Sequence, residues 1–545
     1  MNGPLEYQAD SDTHPNPVSP YYPSIFNDVI GPVMRGASSS HCAASVRIGR
    51  LARDLMDGEI EEVLIQFDPM GSLATTHTTQ GSDIGLFSGL LGWDADDSRL
   101  VESAAAIREA GIKVDIEIVD ISAEHPNTYK LTLSKRGAQH RLTAISCGGG
   151  MVLLTEIDGA GLSIAGDYYE TLLLTNHDAD QVASFLHKTI EAEEILIIGL
   201  GQRVLIEIKS RVPLPEQLLA DLVTRFVISE YYRLSPVLPV LSRRQIQVPF
   251  ITCKDMLGYD ASANKALWEL AAEYESARAG MTTDEVLQEM RQIVAILQES
   301  ICLGIAGTTY ADRILGYQSG AFVDMMARGS LLDAGMLNQI ILYVTALMEV
   351  KSSMGIIVAA PTAGACAALP GACIGAASAM GLGLEEMARA MLAAGLIGVF
   401  VAAHSTFAAE VCGCQGECGV GSAMAAAALV TLANGTTQQT VDAASMALQN
   451  LLGLICDPVA NRVEVPCLGR NVLAASNALA CANMALAGYN AVIPLDEVIE
   501  TMDRVGKMLP SELRCTALGG LSVTTTSKEI ANWLERENLQ RSHVS

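Results

Sequence analysis

The thiols of this chain are its most chemically suggestive residues. The stretch Glu410–Gly421, EVCGCQGECGVG, places Cys412, Cys414 and Cys418 between two alanine-rich runs, in a chain with 13 cysteines. Three cysteines sit where a helix would break: Cys414 precedes Gln-Gly, Cys456 precedes Asp457-Pro458, and Cys467 follows Pro466. A thiolate at a loop or helix terminus can turn toward a metal without distorting a helix, and free backbone N–H groups stabilise its charge. Zinc favours paired C-x2–4-C units, which only Cys412/Cys414 and Cys414/Cys418 approach. Widely spaced single cysteines fit a cluster built from several helix ends better, with packed, unreactive thiols as the alternative. Cys302 and Cys481 lie in helical apolar patterns and are expected to be small buried hydrophobes. A second polar group is GASSSHC (36–42), ahead of a helical run. Ser38, Ser39 and Ser40 with free N–H groups suit a carboxylate, and His41 suits proton exchange near neutral pH; an ordinary serine N-cap is the plainer reading.

Composition narrows the function. Half the residues are hydrophobic, only 5% are aromatic, and the net charge is −26. So acidic a chain is expected to repel nucleic acid and anionic membranes. The N-terminal residues have neither a signal-peptide nor a transit-peptide pattern, and the thiols are expected to be reduced or ligating. A cytoplasmic protein is expected. The apolar run MLAAGLIGVFVAA (391–403) falls short of the ~20 residues that span a bilayer and is read as a buried core helix.

These residues must be positioned by a mixed architecture, of class α+β. Residues 1–22 read as a Pro- and Ser-rich disordered arm. Residues 23–144 alternate strand-like runs (EEVLIQF, KVDIEIV) with helical ones (AASVRIGRLARDLM), an N-terminal α/β domain. Residues 145–241 read β-α-β-β-α-β, a ferredoxin-like order that loosely resembles an ACT domain. Residues 250–535 show periods near 3.6 and few strand signals, a large all-α domain, with 536–545 as a tail.

Several long motifs carry a more specific likeness. SMGIIVAAPTAGACAALPGA, GCQGE, NLLGLICDPVANRVEVPCLGRNV and PSELRCTALGGL, with SIFNDVIGPVMRGASSSHCAASVRIGRLA and GSLATTHTTQGSDIGLFSGLLGWDADD, resemble the iron–sulfur-dependent L-serine dehydratases, with their β and α parts fused. The resemblance implies a 4Fe–4S cluster held by Cys414, Cys456 and Cys467, with Cys412 and Cys418 as spare thiols. It implies catalytic roles for His41 and Ser82, and substrate binding by Ser38, Ser39, Ser40, Gln80, Asp83, Arg470, Asn471 and Arg514. The implied partner is a small amino or hydroxy acid, and the implied assembly a homodimer. Some members add a cysteine near the C-terminus as a fourth ligand; the end of this chain, ENLQRSHVS, has none.

The sequence also departs from the family pattern. Gln80 stands where the family has histidine, Ser82 where it has threonine, and Lys351 where it usually has asparagine. His77, Lys351 and His404 are candidate replacement groups. Three functions follow as expectations: elimination of water from L-serine to give pyruvate and ammonia; related chemistry on another small β-hydroxy or β-thiol acid; or a non-catalytic, ACT-bearing regulatory protein.

Overall fold

The computed structural model describes residues 22–542 apart from 177–178, 244 and 262–263. The arm expected over 1–22 therefore lies, but for Tyr22, outside the described residues. The first described element is a π-helical turn, Ile25–Val29, followed by the short strand β1 (Val33–Met34) and a second π-helical turn, Ser39–Ala43, that runs into α1 (Ala44–Leu55). Next come β2 (Glu62–Phe67), α2 (Leu73–Thr76), α3 (Ser82–Leu90), α4 (Ser103–Glu109), β3 (Lys113–Ile118), β4 (Thr128–Lys135), β5 (Ala138–Gly148), β6 (Met151–Ile157) and β7 (Ala160–Ile164). The strands form one sheet in the order β3-β2-β4-β5-β6-β7, parallel at β2/β3 and antiparallel elsewhere. Strand β2 shows why: Val63, Ile65 and Phe67 alternate inward onto the buried face of α1, beside Leu131 and Leu133 of β4. Helices α1 and α3 approach so closely that a Cβ on Gly89 would stand 2.1 Å from the Val46 carbonyl oxygen.

The boundary expected at residues 144/145 is corrected by this sheet. It falls within β5, and the hairpin through Ile164 completes the N-terminal sheet. A continuous antiparallel ladder leaves no break there, and the apolar alternation of β5 and β6 does not say which sheet receives them. The following unit has the expected order: β8 (Tyr169–Thr175), α5 (Ala179–Thr189), β9 (Glu194–Leu200), β10 (Arg203–Ser210), α6 (Glu216–Phe226) and β11 (Ile228–Leu234), paired β11-β8-β10-β9. A cavity of about 1300 Å³ lies between this sheet and the N-terminal one, away from the cysteines named above.

The remainder is helical: α7 (Cys253–Tyr259), α8 (Leu267–Ala279), α9 (Thr283–Ala306), α10 (Ser319–Ala327), α11 (Met336–Ser352), the short β12 (Ile357–Val358), α12 (Ala368–Met380), α13 (Leu384–His404), α14 (Ala409–Cys412), α15 (Cys418–Leu432), α16 (Thr437–Gln449), α17 (Cys467–Leu486), α18 (Leu495–Met508) and α19 (Thr525–Ser542). Helix α15, CGVGSAMAAAALVTL, has no polar face and is enclosed by α12, α13, α16 and α17. Helix α13 runs for 21 residues, longer than its apolar core suggested and long enough by composition to cross a membrane; 78% of its apolar window is buried inside the fold. The tail expected from residue 536 is helical to Ser542, and the last three residues lie outside the described ones.

The N-terminal residues do not stay with their own sheet. Ile25, Phe26, Val29 and Ile30 belong to the helical core, where Ile25 and Val29 seat on Gly395 and Gly398 of α13. Ser24 donates to Glu275 at 2.6 Å, Asn27 exchanges two hydrogen bonds with the Val240 backbone, and β1 pairs with β12. This docking brings the His41 turn against the thiol-bearing helix ends.

Candidate active site

Five buried cysteines gather at these ends. Cys414 opens a 3-10 turn after Gly413, Cys418 begins α15, and Cys467 begins α17. Cys456 lies in an extended loop bridged to Arg514, and Cys515 follows at a left-handed φ of +60°. Cys414, Cys418, Cys456 and Cys515 pack with Ala365, Ala368, Ala409 and Ala474, and Cys467 lies within electrostatic reach of Cys414 and Cys418. The Cys414 and Cys418 thiols hydrogen-bond to each other, as do those of Cys456 and Cys515. Cys515 N–H also donates to the Cys456 carbonyl at 2.9 Å.

The electrostatics differ among the thiols. The Cys418 hydrogen bond, against burial and with the Arg470 guanidinium, holds Cys414 down at about 7. Burial pushes Cys467 up to about 12, opposed by Lys351. Arg470 is itself fixed by Asp457 at 2.6 Å, and the second Asp457 oxygen takes the Leu521 amide at 2.7 Å. The N-termini of α15 and α17 add positive dipole ends to the pocket. Cys412, by contrast, points its thiol at the Met502 carbonyl, 3.7 Å away, and packs on Gly506. Cys302 is exposed, against expectation: α9 turns that position to solvent, whereas Cys481 is buried.

Among the described residues no three His, Cys, Asp or Glu side chains close on one point as a single-ion site. One zinc with bonds of about 2.3 Å would need its sulfurs drawn to within about 4 Å of each other. The pocket instead offers several thiols on separate helix ends, a donor set that fits an iron–sulfur cluster.

The His41 turn docks on the same helical part, through Ser39 and His41 itself. His41 is completely buried; its Nε2 is 2.7 Å from Thr76 Oγ1 and its Nδ1 3.0 Å from Ser38 Oγ. Because the Thr76 hydroxyl donates to the Ser72 carbonyl at 2.7 Å, His41 Nε2 carries the proton and Nδ1 accepts from Ser38. Burial, reinforced by His77, lowers the imidazole to about 3, so it is neutral at pH 7. Glu410 stands 3.6 Å from Nδ1, its carboxyl raised by burial and one oxygen without a partner. Ser39 Oγ accepts the Ala363 amide at 3.1 Å, tying this turn to the helical part, and Ser40 is buried beside it.

The other expected residues divide. Gln80 donates to Asn461 Oδ1 at 2.9 Å and to Cys515 Sγ at 3.4 Å, which links the N-terminal part to the thiol pocket. Ser82 bonds the Tyr129 hydroxyl at 2.9 Å, and Asp83 pairs with His77 at 2.8 Å. Asn471 spends its amide on the carbonyls of Gly364 and Cys467 and on the Ala367 amide, and so anchors a loop to α17. Arg514 donates to the Val411 carbonyl at 3.3 Å and keeps a buried Nε without a partner. His404 is exposed and bonded to the Phe400 carbonyl, outside the pocket. Lys351 is buried and lines, with Gln80, a small cavity of about 70 Å³.

Sequence reading passed over Glu410, Thr76, Asn461 and Cys515, and set Cys418 aside. Cys418 stands four residues after Cys414 and Cys515 within PSELRCTALGGL, yet nothing local shows that their thiols meet those of Cys414 and Cys456.

The chain is similar to known proteins over much of its length. The family described as Serine dehydratase alpha chain matches residues 262–522. The chain is 37% identical to the probable L-serine dehydratase alpha chain of Bacillus subtilis over 249 residues, 46% of this chain and 83% of that one. It is 50% identical to the corresponding alpha chain of Latilactobacillus sakei over 178 residues, 33% of this chain and 85% of that one. It is also 40% identical to the probable beta chain of the B. subtilis enzyme over 163 residues, 30% of this chain and 72% of that one. With such coverage of its relatives, the chain belongs to the L-serine dehydratase family.

Proposed function

We propose that this protein deaminates L-serine to pyruvate and ammonia, with a 4Fe–4S cluster on Cys414, Cys456 and Cys467. The observation that carries the reading is the meeting of these three buried thiols, each at a loop or helix start, with the His41 turn of the N-terminal part. Such a cluster, when bound by three thiolates, supplies a Lewis-acidic iron with an open position that eases departure of a hydroxyl. The chain's own residues supply the rest. His41, neutral and with Nδ1 turned to the Ser38 hydroxyl, can accept a proton at that nitrogen, while Nε2–H stays fixed on Thr76. Glu410 holds a carboxyl beside the same nitrogen and can store or return that proton. Arg470, kept charged by Asp457, balances negative charge at Cys414. Loss of the Cα proton and the hydroxyl leaves an enamine, which tautomerises and hydrolyses to pyruvate and ammonia.

Gln80 and Lys351 favour one variation, in which another small β-hydroxy or β-thiol acid is accepted in the same pocket. The family resemblance further supports a cytoplasmic homodimer in which the four-stranded unit acts as an ACT-like module. The test is anaerobic purification with iron and sulfide analysis, then pyruvate assay on L-serine beside a panel of small hydroxy and thiol acids. About four irons per chain and serine-dependent pyruvate are expected. Stoichiometric zinc without labile sulfide would overturn the cluster; an intact cluster with no pyruvate would overturn the substrate.

A further inference from the structure

Lys351 ends the last full turn of α11 and is 1% exposed. Its ammonium donates to the Val463 carbonyl, and among the described residues it forms no ion pair. Two buried carboxylates lie within its electrostatic reach, and both are engaged. Glu464 takes the Ile314 and Leu315 amides at 3.0 and 2.9 Å, and Glu417 takes the Thr362 hydroxyl at 2.7 Å. Burying a cation without a carboxylate partner is costly and needs a reason.

The surroundings supply one. Lys351 lines the cavity of about 70 Å³ together with Gln80, Thr79, Tyr310 and Arg462, and the same ammonium acts on the Cys467 and Cys366 thiols. The cavity lies beside the Gln80 arm of the N-terminal part; none of the five pocket cysteines lines it, and it neighbours them through Gln80, bonded to Cys515, and through Lys351. Arg462, the other cation in its wall, is already paired with Asp312 at 2.7 Å. Arg470, expected from sequence to bind substrate, is likewise committed to Asp457. The volume leaves room for a small acid and little more.

We propose that Lys351 is the substrate-carboxylate anchor of this enzyme, receiving a small 2-amino or 2-hydroxy acid in the cavity beside Gln80. This rests on the thiol pocket being the reaction centre, and it places carboxylate recognition on α11. The ammonium gives one charge-assisted hydrogen bond to the carboxylate; the Val463 carbonyl, accepting a second N–H, fixes its direction.

The experiment compares anaerobically prepared wild-type enzyme with Lys351→Met, Lys351→Asn and Lys351→Arg. It measures kcat and KM on L-serine, calorimetric binding of D-serine and of L-serinamide (which lacks the carboxylate), and iron and sulfide. Lys351→Met is expected to raise KM and weaken D-serine about 30-fold, the size of a lost hydrogen bond to a charged group. Its kcat, its iron content and its affinity for L-serinamide should stay within about threefold, and Lys351→Arg should recover part of the D-serine affinity. Equal losses for D-serine and L-serinamide, unchanged affinities, or loss of iron would each overturn the proposal, the last by making Lys351 a counter-ion of the thiols. Should Lys351→Met fail to fold, Lys351→Asn is judged by the same criteria. Wild-type enzyme that binds D-serine but makes no pyruvate would overturn the proposed reaction alone, and the carboxylate affinities of the variants would still decide the role of Lys351. Wild-type enzyme that binds neither ligand would overturn the anchor.

Discussion

The buried imidazole of His41 makes the fold itself sensitive to acid. Burial lowers its pKa from 6.5 to about 3, so between those values the unfolded chain binds a proton that the folded chain refuses. The folded state is therefore fully favoured above pH 6.5, and this contribution is lost as pH falls through 6.5 toward 3. Taking 1.36 kcal/mol per pK unit, lowering the pH from 7.5 to 5.0 removes about 2 kcal/mol through this one group. His41→Gln eliminates the titration while retaining an amide that can bond Ser38 or Thr76. Urea unfolding followed by circular dichroism, under anaerobic conditions at both pH values, measures the difference. Wild-type protein should lose about 2 kcal/mol more than His41→Gln over that interval. Other titrating groups, Glu410 among them, are present in both proteins and cancel to first order. Equal pH dependence in the two would show that His41 is protonated in the fold, and the neutral Nδ1 acceptor would have to be abandoned.

Other expectations test the pocket and its supports. Cys414→Ser, Cys456→Ser and Cys467→Ser should each lose iron and sulfide on analysis, whereas Cys412→Ser, whose thiol faces the Met502 carbonyl, should retain both. Cys418→Ala and Cys515→Ala should keep iron but lower the cluster midpoint potential in an anaerobic redox titration by about 40 mV, equivalent to ~1 kcal/mol per lost S–H···S bond; loss of iron would make either thiol a ligand. Gln80→His should leave iron unchanged and cut serine turnover about tenfold in a pyruvate assay, since Asn461 and Cys515 lose a matched amide partner. Gly89→Ala should cost about 3 kcal/mol in urea unfolding, because the added methyl meets the α1 backbone at Val46.

Local pattern carried much of the fold. The β-α-β-β-α-β order appears within residues 169–234, because each of its helices has one apolar face and its central strands are near-continuous apolar runs buried on both sides. The misplaced boundary at 144/145 has the opposite cause: β5 and β6 alternate as any strand does, and only their pairing shows which sheet owns them. The length of α13 escaped notice because its first turn, LEEM, is polar while its remainder is core. In the pocket, the helix-breaking residues beside Cys414, Cys456 and Cys467 were readable. The pairings Cys414/Cys418 and Cys456/Cys515 were not, since the second joins positions far apart in the chain. The His41–Thr76–Glu410 group likewise arises from the docking of two parts of the molecule, which no local pattern encodes.

That docking changes the kinetics of assembling a working site. The pocket brings together His41 and Gln80 from one part and Glu410, Asn461 and Cys515 from the other, and relatives of this chain bear the separate names alpha chain and beta chain. Where such parts are separate molecules, completing the site is a second-order encounter, and the fraction assembled falls with dilution. Here one chain carries both parts, and Ser24–Met34, continuous with the first, docks by hydrogen bonds on the second, so closure is intramolecular and its effective concentration is set by the chain between the parts, not by expression level. Completion of the site is then a first-order step, with no encounter between separate halves to await.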